Sequence, residues 1–493
     1  MAKLRKIFNK HLLQLIPHFL LFLVIFLTLL YFYSRGFIPH DEGWIISPAE
    51  RIIQGEIPYR DFHYLYLPGV AYVVAMGFKL FGVSIFVSRM VSFFFTLIAI
   101  YALILISKIV NKNSYSYLIP VLIFIAWGPS HLNFAHPTIF AVFGGIIACL
   151  FLYLGREKPF LLFLAGVTTG LTILFKQNFG VALLINNIIF FIFENNFRNK
   201  KIILYHFLGL ILFPILLLIY FALNNAFIPF FQDMYFFMIR EMIEKGHQAT
   251  LFIYPDIWYK EIAKTLFYLS PLLISLPAIY FAFKKNRKIL FFATFAALYY
   301  VIGIRPTTDY VHLVGLLSLI GVPLLMLITF VKNQYMKLGF YGIFILFFLL
   351  GMYTAIFSSY YKWNPPLIQQ NIYTSSPKLG VYTDLNTHIV ISDLNEYFKK
   401  HPTKNDYIFI DSFAPSFYVV TDKKNPTKYI FFTWETLTLH DEKIMINEIK
   451  EKNTPFILTE NGIEKDNTLL AQFIKSTYRF DYNADGYFIF KKK

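Results

Sequence analysis

Cysteine is almost missing from this chain of 493 residues. The single one, Cys149, lies in an apolar run, which excludes an intrachain disulfide and any zinc site built on cysteines. Charge is scarce too: Asp, Glu, Lys and Arg make up 15% of the residues, against roughly 25% in soluble globular domains. Acids are scarcest over the long N-terminal part, where up to Tyr361 there are 13 Asp and Glu against 28 Lys and Arg. No internal repeat and no low-complexity linker is visible, so neither a solenoid nor a disordered spacer is expected.

What is abundant is apolar. The chain is 57% hydrophobic with a mean hydropathy of +0.54, and apolar runs of 16 to 24 residues recur up to about residue 357. Each is long enough to cross, or nearly cross, a hydrocarbon core of ~30 Å as a helix. The first run, residues 12–33, follows a basic start without a small-residue cleavage pattern and is expected to be a retained span. A net charge of +16 might suggest a nucleic-acid partner, but its distribution excludes that reading. Residues 362–493 are nearly balanced, with 17 basic and 16 acidic residues, so the excess belongs to the apolar part and reports topology.

Six loops hold 17 of the 28 basic residues: Lys3 to Lys10, Lys108/Lys112, Arg156/Lys158, Arg198 to Lys201, Lys284 to Lys288 and Lys332/Lys337. All six fall on the cytoplasmic side if residues 68–82 lie along the outer interface instead of crossing. The expected spans are then eleven, near 12–33, 88–107, 117–130, 136–154, 160–175, 178–193, 202–223, 262–283, 289–304, 311–331 and 338–357. This predicts a polytopic α-helical protein of the plasma (inner) membrane with a cytoplasmic N-terminus. Residues 1–360 form the membrane domain, with a first outer loop at 35–87 and a long one at 224–261. An aromatic-rich interfacial helix is expected within the long loop, at 227–246. From 361 on, the runs DYIFID, SFYVVT, KYIFFT, PFILT and GYFIF read as strands between helix-like segments, predicting a small extracytoplasmic α/β domain over 361–493.

The polar residues of the outer side fall into groups. Five of the 13 acids lie in "FIPHDEGWIISPAERIIQGEIPYRDFHYLYLPG", residues 37–69. Glu50, Arg51 and Glu56 read as solvated charges on a short helix that ends near Gly55 and Pro58. Asp41 and Glu42 sit where the first span ends, and paired carboxylates there are costly unless they hold a cation, a donor or a substrate. "LFKQNFG" (174–180) puts Lys176 on the side where lysine is disfavoured, suited to a phosphate or simply snorkelling. "GIRPTTDYVHL" (303–313) gathers Arg305, Asp309 and His312, with an arginine able to fork onto phosphate oxygens or to pair with Asp309. His131 and His136, in "WGPSHLNFAHPT", read as hydrogen-bonded structure. Together these groups suit a base for an acceptor hydroxyl and cations for a departing phosphate.

These stretches carry a family resemblance: "HDEGW" after the first span, the "GEIPYRDF" run leading to "FKLFGVSIFVSR", "KQNFG", "RPTTDYVHL", and "SFYVVTDKKNPTKYIFF" in the tail. The chain resembles GT-C superfamily glycosyltransferases, in the bacterial branch related to protein O-mannosyltransferases and aminoarabinose transferases. The resemblance implies an inverting transfer from a polyprenyl-phosphate sugar to a lipid, glycan or protein hydroxyl at the outer face of the bilayer. It implies Asp41 as general base with Glu42 beside it, and Lys176 and Arg305 for the donor phosphate. Arg60, Asp61, His63, Tyr66, Gln177, Asn178, Asp309 and His312 are candidates for substrate contact. No cofactor is implied, and no pattern indicates a divalent metal. Two departures bear on metal and acceptor: Tyr66 to Gly69 read YLPG where relatives often have HPP, and residues 128–136 lack an acid. A ligase of whole lipid-linked glycans is an alternative. So is a transporter, although that class places its ionisable groups and helix breaks in mid-membrane.

Overall fold

The structure is a computed structural model. It describes residues 2–493 except 65, 114, 194–199, 238–257, 304–309, 359–360, 362–363, 375, 377, 412–413, 431–437 and 461–467; side chains are not described for 2–15, 236–237, 258–264 and 310–311. The chain begins with α1 (Ala2–Tyr33), α2 (Gly43–Ile53), α3 (Gly69–Phe81), α4 (Ile85–Val110), α5 (Leu118–Trp127), α6 (Pro137–Leu154), α7 (Pro159–Phe175), α8 (Gln177–Phe193) and α9 (Lys200–Leu223). A short α10 (Phe227–Gln232) follows, then α11 (Trp258–Lys285), α12 (Leu290–Gly303), α13 (Tyr310–Leu317), α14 (Gly321–Phe330) and α15 (Gln334–Phe357).

Among the described residues seven helical stretches are long and apolar enough to cross a membrane: 16–33, 85–110, 137–154, 200–223, 265–285, 312–330 and 334–357. α9 and α15 leave most of their apolar side chains exposed, Leu204, Leu216, Leu338 and Leu346 among them, as lipid-facing helices do. The bundle interior is held by α6 and by residues 312–330, which are almost wholly buried. Two of the eleven expected spans differ in form. The run at 117–130 yields only the ten residues of α5, about 15 Å of helix. It is enclosed by other helices and turns back at Gly128, so it need not match the bilayer thickness. The run at 311–331 is broken by a turn at 318–320, where the Ser318 hydroxyl donates to the Gly315 carbonyl.

Glycine sets the closest helix pair. Gly166 of α7 faces the His206 backbone of α9 and Gly209 of α9 faces the Phe163 backbone of α7, so any Cβ would collide with main chain. The segment expected along the interface is α3, whose ends at 69 and 81 fall one residue inside 68–82. It packs on α2, α4 and α7. Of the aromatic segment at 227–246, α10 and a π-turn at Asp233–Phe237 are described, and the remainder lies outside the described residues.

The tail holds β1 (Ile372–Tyr373) paired with β2 (Tyr382–Thr383), and a sheet of β3 (Ile408–Asp411), β4 (Phe456–Glu460), β5 (Tyr478–Ala484) and β6 (Tyr487–Lys492) in the order β3-β4-β6-β5. β3 and β4 are parallel, and the other two pairings are antiparallel. Among the described residues four helices accompany these strands: α16 (Leu385–Lys400), α17 (Ser416–Val420), α18 (Leu439–Glu451) and α19 (Leu469–Thr477). Alternation along the strands splits the core. Phe409 and Ile457 pack with Met445 and Ile449 of α18 and Ile474 of α19, whereas Ile408, Ile410, Phe456 and Leu458 share a cluster with Leu394 and Phe398 of α16 that continues into the bundle.

SFYVVT, expected as a strand, is the helix α17 instead. Pro415 before it presets a helical φ, and all five of its residues are buried, so a continuous apolar run masks the period. KYIFFT contributes no strand among its described residues, 428–430. β5 was not foreseen, since only its two ends are buried.

The tail is fastened to the first loop by main chain and by charge. The Ser416 amide donates to the Pro39 carbonyl at 3.2 Å, and beyond the end of α1 the Gly36 amide donates to the Tyr382 carbonyl while the Tyr382 amide donates to the Ser34 carbonyl, each at 2.8 Å. Gly43 faces the Ser416 amide so closely that a Cβ there would overlap it. Lys378 bridges Glu50 at 2.7 Å and Asp422 at 2.6 Å, and Arg51 binds Glu56 at 2.5 Å and the Thr427 carbonyl at 2.9 Å. Burial pushes the Glu50 carboxyl up from its ordinary range, against the pull of Lys378. Glu50, Arg51 and Glu56 thus act as scaffold, but Glu50 and Arg51 are not the solvated charges the sequence suggests: Glu50 is buried, and Arg51 turns inward onto the tail.

Candidate active site under the C-terminal strands

The turn after α1 carries both acids of the HDEGW stretch to the same place and gives them different neighbours. Glu42 is 1% exposed and accepts from both arms of Arg89, Nε to Oε1 and Nη2 to Oε2, each at 2.8 Å. Arg89 sits in the second turn of α4, is wholly buried, and also donates through Nη1 to the Arg35 carbonyl. Asn133, from the loop after α5, donates to the Phe32 and Arg35 carbonyls at 2.8 Å each. The turn is therefore pinned from α4 and from the α5–α6 loop at once. Both oxygens of Glu42 are engaged in a bidentate charged pair, a geometry that fixes the position of the chain beside it.

Asp41, one residue earlier, is 6% exposed and faces a cavity of about 300 Å³ between the first loop and the tail. Its Oδ2 accepts the hydroxyl of Tyr361. A carboxylate can accept up to about four hydrogen bonds, so this contact is compatible with taking a substrate proton. The Phe37 carbonyl beside it accepts from Asn364 at 2.6 Å, which orders the opposite lip.

Contacts run from Asp41 to Lys176 along this end of the bundle. The Tyr361 ring meets Phe134 edge-on at 5.3 Å, and Phe134 meets His136 at 5.4 Å. His136 caps α6 by accepting the Thr138 amide through Nδ1 at 3.2 Å, and Thr138 Oγ1 accepts from Lys176 Nζ at 2.7 Å. Lys176 is 8% exposed in the turn between α7 and α8, with the Phe179 ring 5.1 Å from its ammonium. It does not snorkel outward. Gln177 and Asn178 open α8 next to it, half-buried, and Asn178 accepts the Phe179 amide. His312, half-buried, begins a described stretch whose Gly315 packs against Thr138 and Leu132. Arg305 and Asp309 lie outside the described residues.

Three candidates are directed elsewhere. Arg60 forks onto Asp61, with Nε to Oδ1 at 2.8 Å and Nη2 to Oδ2 at 2.7 Å, and reaches the Asn224 carbonyl at the end of α9. Burial would raise the Asp61 carboxyl, but Arg60 and the Ile57 amide hold it below the usual carboxylate range. His63 pairs with Asp233 at 2.8 Å, and its ring lies 4.8 Å from that of Tyr429. None of the three lines the Asp41 cavity. They clamp the first loop to α9, to the π-turn and to the tail. Tyr66 accepts the Tyr59 hydroxyl through its carbonyl and lays its ring 6.0 Å from Trp44. His131 is buried, and burial pushes it down to about 3, so it is neutral; it bonds Ser130 and Thr354. No group of three His, Cys, Asp or Glu side chains placed to hold a metal occurs among the described residues.

Sequence reasoning missed Arg89, Asn133 and Tyr361. Arg89 did leave a signal, because an arginine at the head of an apolar run is costly unless it is paired. Tyr361, one tyrosine among 34 and 320 positions from Asp41, left none.

Residues 67–220 match the family of dolichyl-phosphate-mannose-protein mannosyltransferases. No curated protein is similar enough to the chain to count as a match. Among solved structures, ArnT from Cupriavidus metallidurans in the apo state superposes with a TM-score of 0.60 at 12% identity, covering 97% of each chain. The same protein bound to undecaprenyl phosphate gives 0.56 at 11% identity, covering 96% of this chain and 98% of that one. The fold is that of a GT-C glycosyltransferase. An oligosaccharyltransferase from Archaeoglobus fulgidus, tethered to an acceptor peptide, gives 0.51 at 12% identity over 97% of this chain and 74% of that one. The GT-C likeness thus spans the tail as well as the membrane helices, whereas the family match begins after Asp41 and Glu42.

Proposed function

We propose that this membrane protein transfers a sugar from a polyprenyl-phosphate carrier to an acceptor hydroxyl, with Asp41 as general base. The observation that carries the reading is the buried carboxylate of Asp41 facing a cavity, oriented by Tyr361 and joined by packed side chains to the buried cation Lys176. Asp41 takes the acceptor proton as the hydroxyl oxygen attacks the anomeric carbon. The bond from that carbon to the phosphate oxygen breaks, and the polyprenyl phosphate leaves with the electron pair. Attack opposite the leaving group inverts the anomeric centre. Lys176 stabilises the charge gathering on the phosphate. Arg305 is the second phosphate ligand in this reading. Glu42 is a positioning residue, since Arg89 engages both of its oxygens.

Undecaprenyl phosphate in the ArnT structure supports the donor class, and the match of residues 67–220 supports glycosyl transfer. The assay is turnover of a polyprenyl-phosphate sugar by the purified chain in lipid nanodiscs. Lys176→Gln removes one charge-assisted contact, worth roughly 1.5–3 kcal/mol, so kcat/KM for the donor should fall about 10- to 100-fold. An unchanged kcat/KM would remove Lys176 from the phosphate site.

The site lies on the extracytoplasmic side in this reading, with the N-terminus in the cytoplasm and the tail outside. Lys79→Cys at the end of α3 and Asn113→Cys in the α4–α5 loop, both exposed positions, test it in intact cells. An impermeant thiol reagent should label position 79 and spare 113. The reverse pattern would invert the topology.

A further inference from the structure

Where α1 leaves the bundle, the tail meets the membrane-spanning helices at a corner that exposes apolar side chains. Ile368, Tyr373 and Leu385 are 50%, 56% and 57% exposed, and Tyr382 and Ile389 are exposed as well. They belong to the single turn Leu367–Gln369, to β1 and β2, and to the first two turns of α16. The span fixes their height. β2 is hydrogen-bonded to residues 34 and 36, directly after the apolar stretch 16–33. The Tyr31 hydroxyl donates to the Leu367 carbonyl at 3.4 Å, and the turn holding Ile368 packs on α15, whose exposed side chains are still apolar at Tyr353 and Phe357. A row of side chains joins span and tail. The Arg35 guanidinium, half-buried, lies 3.8 Å from the centre of the Tyr31 ring and 4.9 Å from that of Tyr382, and Tyr382 meets Tyr373 edge-on at 5.4 Å.

We propose that this corner is a lipid-docking surface: the turn at 367–369, the β1–β2 ribbon and the start of α16 rest in the headgroup layer where α1 leaves the bilayer, with Arg35 on a lipid phosphate. The polar layer of a bilayer is roughly 5–7 Å deep on each side of the hydrocarbon core. Residues hydrogen-bonded one to three positions past the end of a span fall within it. The patch lies at the end of the lipid-facing surface of α15, so bilayer, not open water, is what its apolar side chains meet. Tyrosine rings suit headgroup level, and an arginine held between two of them can fork onto a phosphate. α16 carries a matching gradient. It exposes Leu385 and Ile389 near its start and Glu396, Lys399 and Lys400 near its end, so its exposed apolar surface is confined to the end beside the span. The same two turns line the Asp41 cavity through Asn386, Thr387, Val390 and Ile391. Docking therefore sets that wall of the cavity at a fixed height above the hydrocarbon core, and it holds whether or not the chain is a transferase.

The test uses the full chain in nanodiscs of phosphatidylcholine and phosphatidylglycerol, one copy to a disc. Tyr373→Cys, Leu385→Cys and Lys400→Cys are each labelled with an environment-sensitive fluorophore, and the wild-type chain, whose Cys149 is buried, is the blank. All three positions are exposed, so the label displaces no packed side chain. Lys400 closes the far end of α16, about 22 Å along the axis from Leu385. With a nitroxide on the lipid near its headgroup, labels at 373 and 385 should be quenched several-fold more than the label at 400, and their emission should lie to the blue of it. Quenching at 373 or at 385 no stronger than at 400 would overturn the assignment. If both stay unquenched with one copy per disc but quench each other with two, the patch pairs copies of this chain and the lipid assignment fails as well.

Discussion

Asp41→Asn leaves the chain folded and inserted, and transfer falls by about 10²–10⁴-fold, the usual contribution of a positioned general base. Asparagine keeps the size of the side chain and can still accept the Tyr361 hydroxyl, so the surrounding packing has no reason to change. What it loses is the capacity to take a proton. The loss should appear in kcat with little change in donor KM, because Asp41 acts on the acceptor and not on the phosphate. Donor binding measured separately should be retained. A purified Asp41→Asn chain with near wild-type kcat would remove Asp41 from the chemistry, whatever its burial.

Arg89→Leu has the largest expected effect on stability. It strands Glu42, which is 1% exposed, inside a bundle end where both carboxylate oxygens are held by the guanidinium. Breaking a buried pair from one side costs about 3–5 kcal/mol. It also frees the turn that presents Asp41, so activity should drop beyond what the remaining folded fraction explains. Removing the partner as well tells the two effects apart. In Glu42→Gln/Arg89→Leu the uncompensated charge is gone, and thermal stability should recover much of the loss. Activity should not recover with it, since Asp41 has lost its support. A double variant no more stable than Arg89→Leu would show that the pair is not what holds the turn.

The legible and the illegible parts of this chain separate by distance along it. Helix ends marked by local chemistry were readable: the α3 range came within a residue, and α7 and α8 were found on either side of Lys176 because the KQN triplet interrupts two apolar runs. Strands β3, β4 and β6 followed from short apolar runs bounded by turn residues. SFYVVT failed because complete burial erases the period that distinguishes strand from helix.

The site shows the same division. Asp41 and Lys176 could be singled out because a charge next to a span demands a reason, and each is buried in the structure. Glu42 could not be told from Asp41 by sequence, since its partner lies 47 positions away. Arg60, Asp61 and His63 looked equally suited to a substrate, and only the positions of Asn224 and Asp233 reveal them as clamps. Tertiary partners, not residue types, separate chemistry from scaffold here.

The central claim is tested most directly by the products of one reaction. The purified chain in nanodiscs is given a polyprenyl-phosphate sugar of known anomeric configuration and a glycoside acceptor, and both the released lipid and the new linkage are analysed. The account predicts one polyprenyl phosphate released per sugar transferred, an inverted anomeric centre, and both products formed about 10²–10⁴-fold more slowly with Asp41→Asn. Retention of configuration, or near wild-type turnover without the Asp41 carboxylate, would contradict it.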